Sequence, residues 1–306
     1  MKDQAEKLRA MALKTRLNIE KEMLNDFKQT KVIVVSSGKG GVGKSTLALN
    51  MAIDLCRKGK KILLFDADLG MANIDIMLGI IPQYNLYHVT TGNKSIQDIT
   101  LTIEEGLDII PGGSGIYELA NLSDERLKNI LVQIGKLDGI YDYMIIDTGA
   151  GISKSVITFL LAGDDVIVIT TPEPTSVTDA YGIVKSLNKS SFKGHVYLVV
   201  NRVVDGNEGI MVAEKFKLVC KKFLEIDIKF LGYIINEPLI SEGIRRQESF
   251  IKLFPKSVAA KNVSGITDLL LKEGHGDNAD NDELITPPAQ GRGIKNFFKK
   301  LAGISK

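Results

Sequence analysis

The sequence predicts an α/β fold: a mostly parallel sheet of about seven to eight strands with helices on both faces. Three observations carry this expectation. Between residues 31 and 272, short aliphatic and β-branched runs alternate with segments of helical period; such alternation builds parallel sheets covered on both sides. The run Val32-Ile33-Val34-Val35 leads directly into a glycine-rich stretch, Gly38-Lys39-Gly40-Gly41-Val42-Gly43-Lys44-Ser45-Thr46, where a strand hands over to a helix. The two ends differ from this middle, which predicts an N-terminal helical extension and a C-terminal amphipathic helix.

In chain order, residues 1–30 are charge-mixed and read as a helical, partner-binding arm. Strands are expected at 32–36, 62–65, 107–110, 143–146, 166–170, 196–200 and 230–234. Helices are expected at 45–57, 124–137, 176–187 and 213–224. Residues 31–273 form the nucleotide-binding domain in this reading. Residues 274–292 turn to Gly, Asp, Asn and Pro with almost no large apolar side chain, the composition of a flexible linker. Residues 293–306 form the terminal helix.

Bulk properties narrow the function classes. With 306 residues and 44% hydrophobic content, the chain can bury a full core. A net charge of +2 argues against a protein basic throughout and built to coat nucleic acid. No run of about 20 apolar residues exists to span a membrane, and the N-terminus lacks the apolar stretch of a signal peptide. The two cysteines, Cys56 and Cys220, lack metal-ligand spacing and read as thiols in a reducing cytosol.

The stretch Gly38 to Thr46 fits G-x-x-x-x-G-K-[ST], the phosphate-binding loop. Its glycines let backbone N–H groups converge on an anion, and the helix N-terminus that follows favours a phosphate. Lys44 is expected to reach the β- and γ-phosphates and the Ser45 hydroxyl to sit on Mg²⁺. Tyr143-Met144-Ile145-Ile146-Asp147 is an apolar strand ending in an acid, placed to hold Mg²⁺ through water.

At the C-terminus, Ile294, Phe297, Phe298, Leu301 and Ile304 share one face of a helix. Lys295, Lys299 and Lys300 take the other. A basic amphipathic helix with phenylalanines fits a membrane interface; the alternative is a helix docked on its own domain. Each buried apolar side chain contributes ~1.5–3 kcal/mol and each lysine near anionic lipid about 1 kcal/mol. Ordering each residue costs roughly 1–2 kcal/mol. The terms nearly cancel, so one helix binds weakly, whereas two on a dimer bind by avidity, about 10²-fold or more tighter.

The second loop lysine, Lys39, makes Lys39-Gly40-Gly41-Val42-Gly43-Lys44-Ser45-Thr46 resemble the deviant Walker loop of the MinD/ParA group of P-loop NTPases. That resemblance implies ATP with Mg²⁺, ATP hydrolysis and a homodimer. Lys39 would then cross to the partner's nucleotide and neutralise charge there, as an arginine finger does; alone it would read as a solvated loop cation. The stretch from Phe65 to Asp75 resembles the group's switch I. By position, Asp68 orients the attacking water and Asp66 lies close to the metal, the alternative being two acids that cap a helix or loop. Thr148-Gly149-Ala150-Gly151 stands where the group has D-x-P-A-G, with Gly149 in place of proline and the Gly151 N–H offered to the γ-phosphate.

By the same resemblance Asn201, followed by Arg202, bonds the adenine edge, although a turn-forming asparagine fits the position too. Pro238, in Asn236-Glu237-Pro238, is placed against the base. Glu173 lies in a segment facing the dimer partner and reaches nucleotide across it. Neither cysteine suits the cluster of the iron-protein branch.

The opening Asp3-Gln4-Ala5-Glu6-Lys7-Leu8-Arg9 resembles the N-terminal motif of the FlhG (YlxH, FleN) family of MinD-like ATPases; the alternative is an ordinary mixed-charge helix. The family implies control of flagellar number and placement. Its N-terminal segment, here Asp3, Gln4, Ala5, Leu8 and Arg9, binds and stimulates the GTPase FlhF. Flagellar switch (C-ring) proteins and anionic inner-membrane lipid, contacted by Ile294, Phe297, Phe298, Lys299, Lys300 and Leu301, are the other implied partners. The protein would be cytoplasmic and peripherally attached to the membrane in its ATP state, with no specific nucleic acid. A division-site MinD, a ParA-like DNA-partitioning ATPase and a nucleotide-gated scaffold are the competing readings.

Overall fold

The structure is a computed structural model and describes residues 29–68, 73–112, 124–276 and 292–301. Its elements run β1 (Lys31–Ser36), α1 (Lys44–Arg57), β2 (Ile62–Ala67), α2 (Ile74–Leu78), α3 (Leu86–Thr90), α4 (Ile96–Ile99), β3 (Leu101–Glu104) and β4 (Leu107–Ile110). There follow α5 (Asp124–Gly135), β5 (Tyr143–Thr148), α6 (Lys154–Ala162), β6 (Asp165–Thr170), α7 (Pro174–Lys189) and β7 (Val196–Val203). The last are α8 (Gly206–Leu224), β8 (Lys229–Ile235), α9 (Pro238–Arg245), α10 (Phe250–Leu253), α11 (Val258–Gly276) and α12 (Ile294–Leu301).

The strands form one eight-stranded sheet in the order β3-β4-β2-β5-β1-β6-β7-β8. All neighbours are parallel except β3 with β4. Alternation along each strand feeds two cores. In β1, Val32 and Val34 enter the core shared with α5, α6, α7 and α8. Ile33 and Val35 enter the opposite core, shared with α1 and α11. All four are fully buried, which is why the strand reads as an unbroken apolar run. β1 lies between β5 and β6, where the chain stops building one side of the sheet and starts the other. That switch point opens a crevice at the strands' carboxyl ends.

All seven expected strands are present. β3 was not foreseen, because four half-exposed residues at a sheet edge give too short an alternation. α8 starts seven residues before the expected 213. Its start is marked by Asp205, whose side chain accepts from Glu208 N–H at 2.9 Å while Glu208 accepts from Val204 N–H. Asp205 is thus the N-cap, a residue type that marks helix starts in sequence. α11 continues to Gly276, into the segment expected as linker.

Candidate nucleotide site and the C-terminal helix

The loop after β1 wraps the N-terminus of α1. Gly43 is the helix cap, with φ +93°, and a Cβ there would lie 2.3 Å from Asn201 Nδ2. Only glycine satisfies both the left-handed backbone and that approach. A crevice lined by Gly40, Gly41, Lys44, Ser45, Thr46, Asp68, Asn73, Ala150 and Arg202 opens above the loop. Lys44 is buried, and its Nζ lies 2.6 Å from Asp147 Oδ1 at the end of β5. The Ser45 hydroxyl also bonds Asp147. Burial pushes the Asp147 carboxyl up, and Lys44 and Ser45 pull it back. Asp147 Oδ2 is buried without a hydrogen-bond partner.

That orphaned acceptor beside a serine hydroxyl fits a hard cation that keeps its waters. Ser45 and Asp147 are the residues placed to hold Mg²⁺. Asp66, expected close to the metal, is the cross-strand neighbour of Asp147, and its oxygens are taken up by backbone amides. Its Oδ1 accepts from Asp68 N–H and its Oδ2 from Asn73 and Ile74 N–H. These three amides tie it to the turn into α2. Burial and the nearby Asp147 charge push the Asp66 carboxyl up to about 7. Asp68 lines the crevice on the Lys44 side, with Asn73 Nδ2 at 3.5 Å from its Oδ2. Residues 69–72 of the switch lie outside the described residues.

The Gly151 N–H donates to Ser37 O at 2.8 Å. That bond turns the amide toward the base of the loop. Lys39 Nζ sits 2.8 Å from Glu173 Oε2 and 3.4 Å from Thr175 Oγ1. Glu173 thus meets the loop lysine of its own chain. Both side chains are exposed, so the pair holds weakly.

A second pocket lies beside the loop, lined by Gly43, Thr46, Asn201, Arg202, Asn236, Glu237, Ile240, Ile244 and Phe250. Asn201 Nδ2 donates to Val42 O at 2.7 Å and its Oδ1 accepts from Arg202 N–H at 2.8 Å. This bracing of the phosphate loop was not foreseen. One amide hydrogen and one lone pair remain for a base edge. Asn236 and Glu237 line the pocket and Pro238 follows them outside its lining. It is exposed at the first turn of α9, where its fixed φ starts the helix. Among the described residues no group of three His, Cys, Asp or Glu side chains gathers to hold a metal. Burial pushes both cysteine thiols up to about 12.

The apolar face of α12 is not free. Ile294 and Phe297 are fully buried and Phe298 nearly so. The Phe297 ring lies 6.0 Å from Phe159 of α6, and the Phe298 ring 6.0 Å from Phe65 of β2. Lys299, Lys300 and Leu301 are half-buried at the rim. The long polar linker favoured an undocked helix; Phe65 of β2 and Phe159 of α6 supply the rings that hold it. No helix among the described residues is long and apolar enough to cross a membrane. Asp3, Gln4, Ala5, Leu8 and Arg9 lie outside the described residues.

Strand, glycine loop, buried lysine and strand-end acid define a phosphate-loop nucleotide-binding protein. A family model for an AAA domain matches residues 30–194. The flagellum site-determining protein YlxH of Helicobacter pylori is 35% identical over 95% of this chain and 97% of its own length. The antiactivator FleN of Pseudomonas aeruginosa is 31% identical over 78% of this chain and 85% of its own. The septum site-determining protein MinD of Pyrococcus horikoshii, solved with Mg-ADP, superposes with a TM-score of 0.65 at 26% identity, over 82% of this chain and 99% of that one. The chain belongs to the YlxH/FleN (FlhG) family of MinD-like ATPases.

Proposed function

We propose that this protein is an ATP-driven switch that dimerises with ATP, attaches to the inner face of the cell membrane and regulates flagellar number and placement. The observation that carries the reading is the apposition of Lys44, Ser45 and Asp147 at the switch point of a MinD-like sheet. With nucleotide bound, Lys44 would exchange its Asp147 partner for the β- and γ-phosphates, and Ser45 and Asp147 would hold Mg²⁺, which would supply neutralisation of phosphate charge. Asp68 orients the attacking water. Lys39 leaves the weak Glu173 pair and reaches the partner protomer's nucleotide. Asn201 reads the adenine edge with its remaining hydrogen and lone pair.

The docked helix connects this site to the membrane. Phe65 immediately precedes Asp66, and Phe159 lies in α6, just after the Gly149–Gly151 loop. The rings that hold α12 thus sit on the two elements that respond to nucleotide. Release of α12 from both protomers of a dimer gives two weak anchors and hence avidity. The N-terminal arm binds an FlhF-type GTPase, and flagellar C-ring proteins are the remaining partners.

The test is light scattering of the purified chain with ATP and Mg²⁺. The reading requires a dimer with ATP that ADP does not support. A monomer under both conditions would remove its basis.

A further inference from the structure

Two carboxylates gather four backbone N–H groups from the two ends of the chain. Asp138, in the α5–β5 connection, accepts from Thr30 N–H through Oδ1 at 3.0 Å and from Lys295 N–H through Oδ2 at 3.4 Å. Asp164, just before β6, accepts through Oδ2 from Val32 N–H at 2.8 Å and from Gly293 N–H at 3.4 Å. Thr30 and Val32 flank the start of β1, where the N-terminal arm joins the sheet. Gly293 and Lys295 flank the start of α12.

The local chemistry is consistent. Carboxylates at a helix N-terminus complement its dipole. Gly293 takes φ +94°, and a Cβ there would lie 2.6 Å from Asp138 Oδ2, so the backbone is drawn tightly onto the acid. Lys300 adds a positive charge acting on Asp164. Thr30 is further fixed to the same connection: its hydroxyl donates to Tyr141 O and accepts from Gly139 N–H. Each oxygen of Asp138 serves one end of the chain. A carboxylate held at both oxygens keeps one rotamer; slackening either donor loosens the hold on the other.

We infer that Asp138 and Asp164 form a latch that couples the start of β1, Thr30 to Val32, to the docking of the C-terminal helix. Whatever fixes Thr30 in register holds α12 in its groove, and whatever strips Thr30 away frees it. Coupling of this kind is reciprocal, so undocking of α12 slackens the start of β1 in turn. The latch concerns docking and stands without lipid; only its consequence for membrane attachment rests on the function proposed above.

Hydrogen exchange by mass spectrometry on the full chain, without nucleotide or lipid, tests it. Thr30→Ala is the main variant: it keeps the N–H that Asp138 accepts but removes the hydroxyl that fixes this residue in register through Tyr141 O and Gly139 N–H, and no described bond of Thr30 goes to α12. Asp138→Asn is the second: an amide presents one acceptor where the carboxylate presents two. The latch requires exchange of residues 294–301 to quicken at least about fivefold in both, with melting temperature confirming the fold. Truncation after residue 291 must quicken exchange at residues 30–32. Unchanged exchange of 294–301 in Thr30→Ala overturns the latch even if Asp138→Asn fails to fold. A parallel co-sedimentation in ATP and Mg²⁺ with phosphatidylcholine vesicles containing phosphatidylglycerol separates the two ideas. Quickened exchange without vesicle binding keeps the latch and removes the membrane reading.

Discussion

Lys44 Nζ and Asp147 Oδ1, 2.6 Å apart and both buried, neutralise each other in the protein alone. A buried lysine and a buried carboxylate each cost several kcal/mol unpaired. The pair therefore keeps the loop charged and pre-shaped, and in the proposed function a triphosphate with its cation would replace both partners at once.

Lys44→Ala should abolish ATP binding in a calorimetric titration, and with it dimerisation and membrane attachment. It should also lower stability without nucleotide, on the order of 3–5 kcal/mol at neutral pH, because Asp147 is left buried and uncompensated. Chemical denaturation measures this. Retained ATP affinity contradicts the site assignment.

Asp66 gives a pH dependence with a definite sign. Its carboxyl is raised from 3.8 to about 7 in the fold, so the folded state holds the proton more tightly than the unfolded chain. That contribution is complete below about pH 4 and is lost as pH rises through about 7. In EDTA without nucleotide, Asp66→Asn should flatten the fall in melting temperature between pH 5 and pH 8, taken as two convenient points about the folded value. An identical fall in variant and parent contradicts the assignment.

Asp68→Ala should retain ATP binding but lose about 10²-fold or more in hydrolysis, trapping the dimer in light scattering. Hydrolysis at the parent rate removes Asp68 from the chemistry.

A peptide of residues 1–25 should raise GTP hydrolysis by a cognate FlhF-type GTPase. Replacing Gln4 and Arg9 with alanine should remove that stimulation and leave ATP binding intact. Stimulation that survives both substitutions places the activating groups elsewhere.

The phosphate loop and the strand-end acid were legible because spacing alone fixes them: glycines, Lys44 and Ser45 lie in one run, and Asp147 ends an apolar strand. The sheet was legible because strands buried on both faces must be apolar throughout. Asp66 and Asp68 look alike in sequence. Only the fold shows that backbone amides surround one while the other faces the crevice. Asn201 bracing Val42 and Asp138 bonding Thr30 join residues more than a hundred positions apart, for which no local pattern exists. α12 was recognised from its own periodicity, but its groove is assembled from Phe65 and Phe159 on separate elements.

The central claim is that nucleotide at the loop decides whether α12 is available to lipid. It is tested most directly by co-sedimentation of the Asp68→Ala protein with phosphatidylglycerol-containing vesicles in ATP and in ADP, with and without residues 294–306. The account predicts pelleting with ATP, little with ADP, and none once the helix is removed. Equal pelleting in both nucleotides, or pelleting that survives removal of the helix, would contradict it.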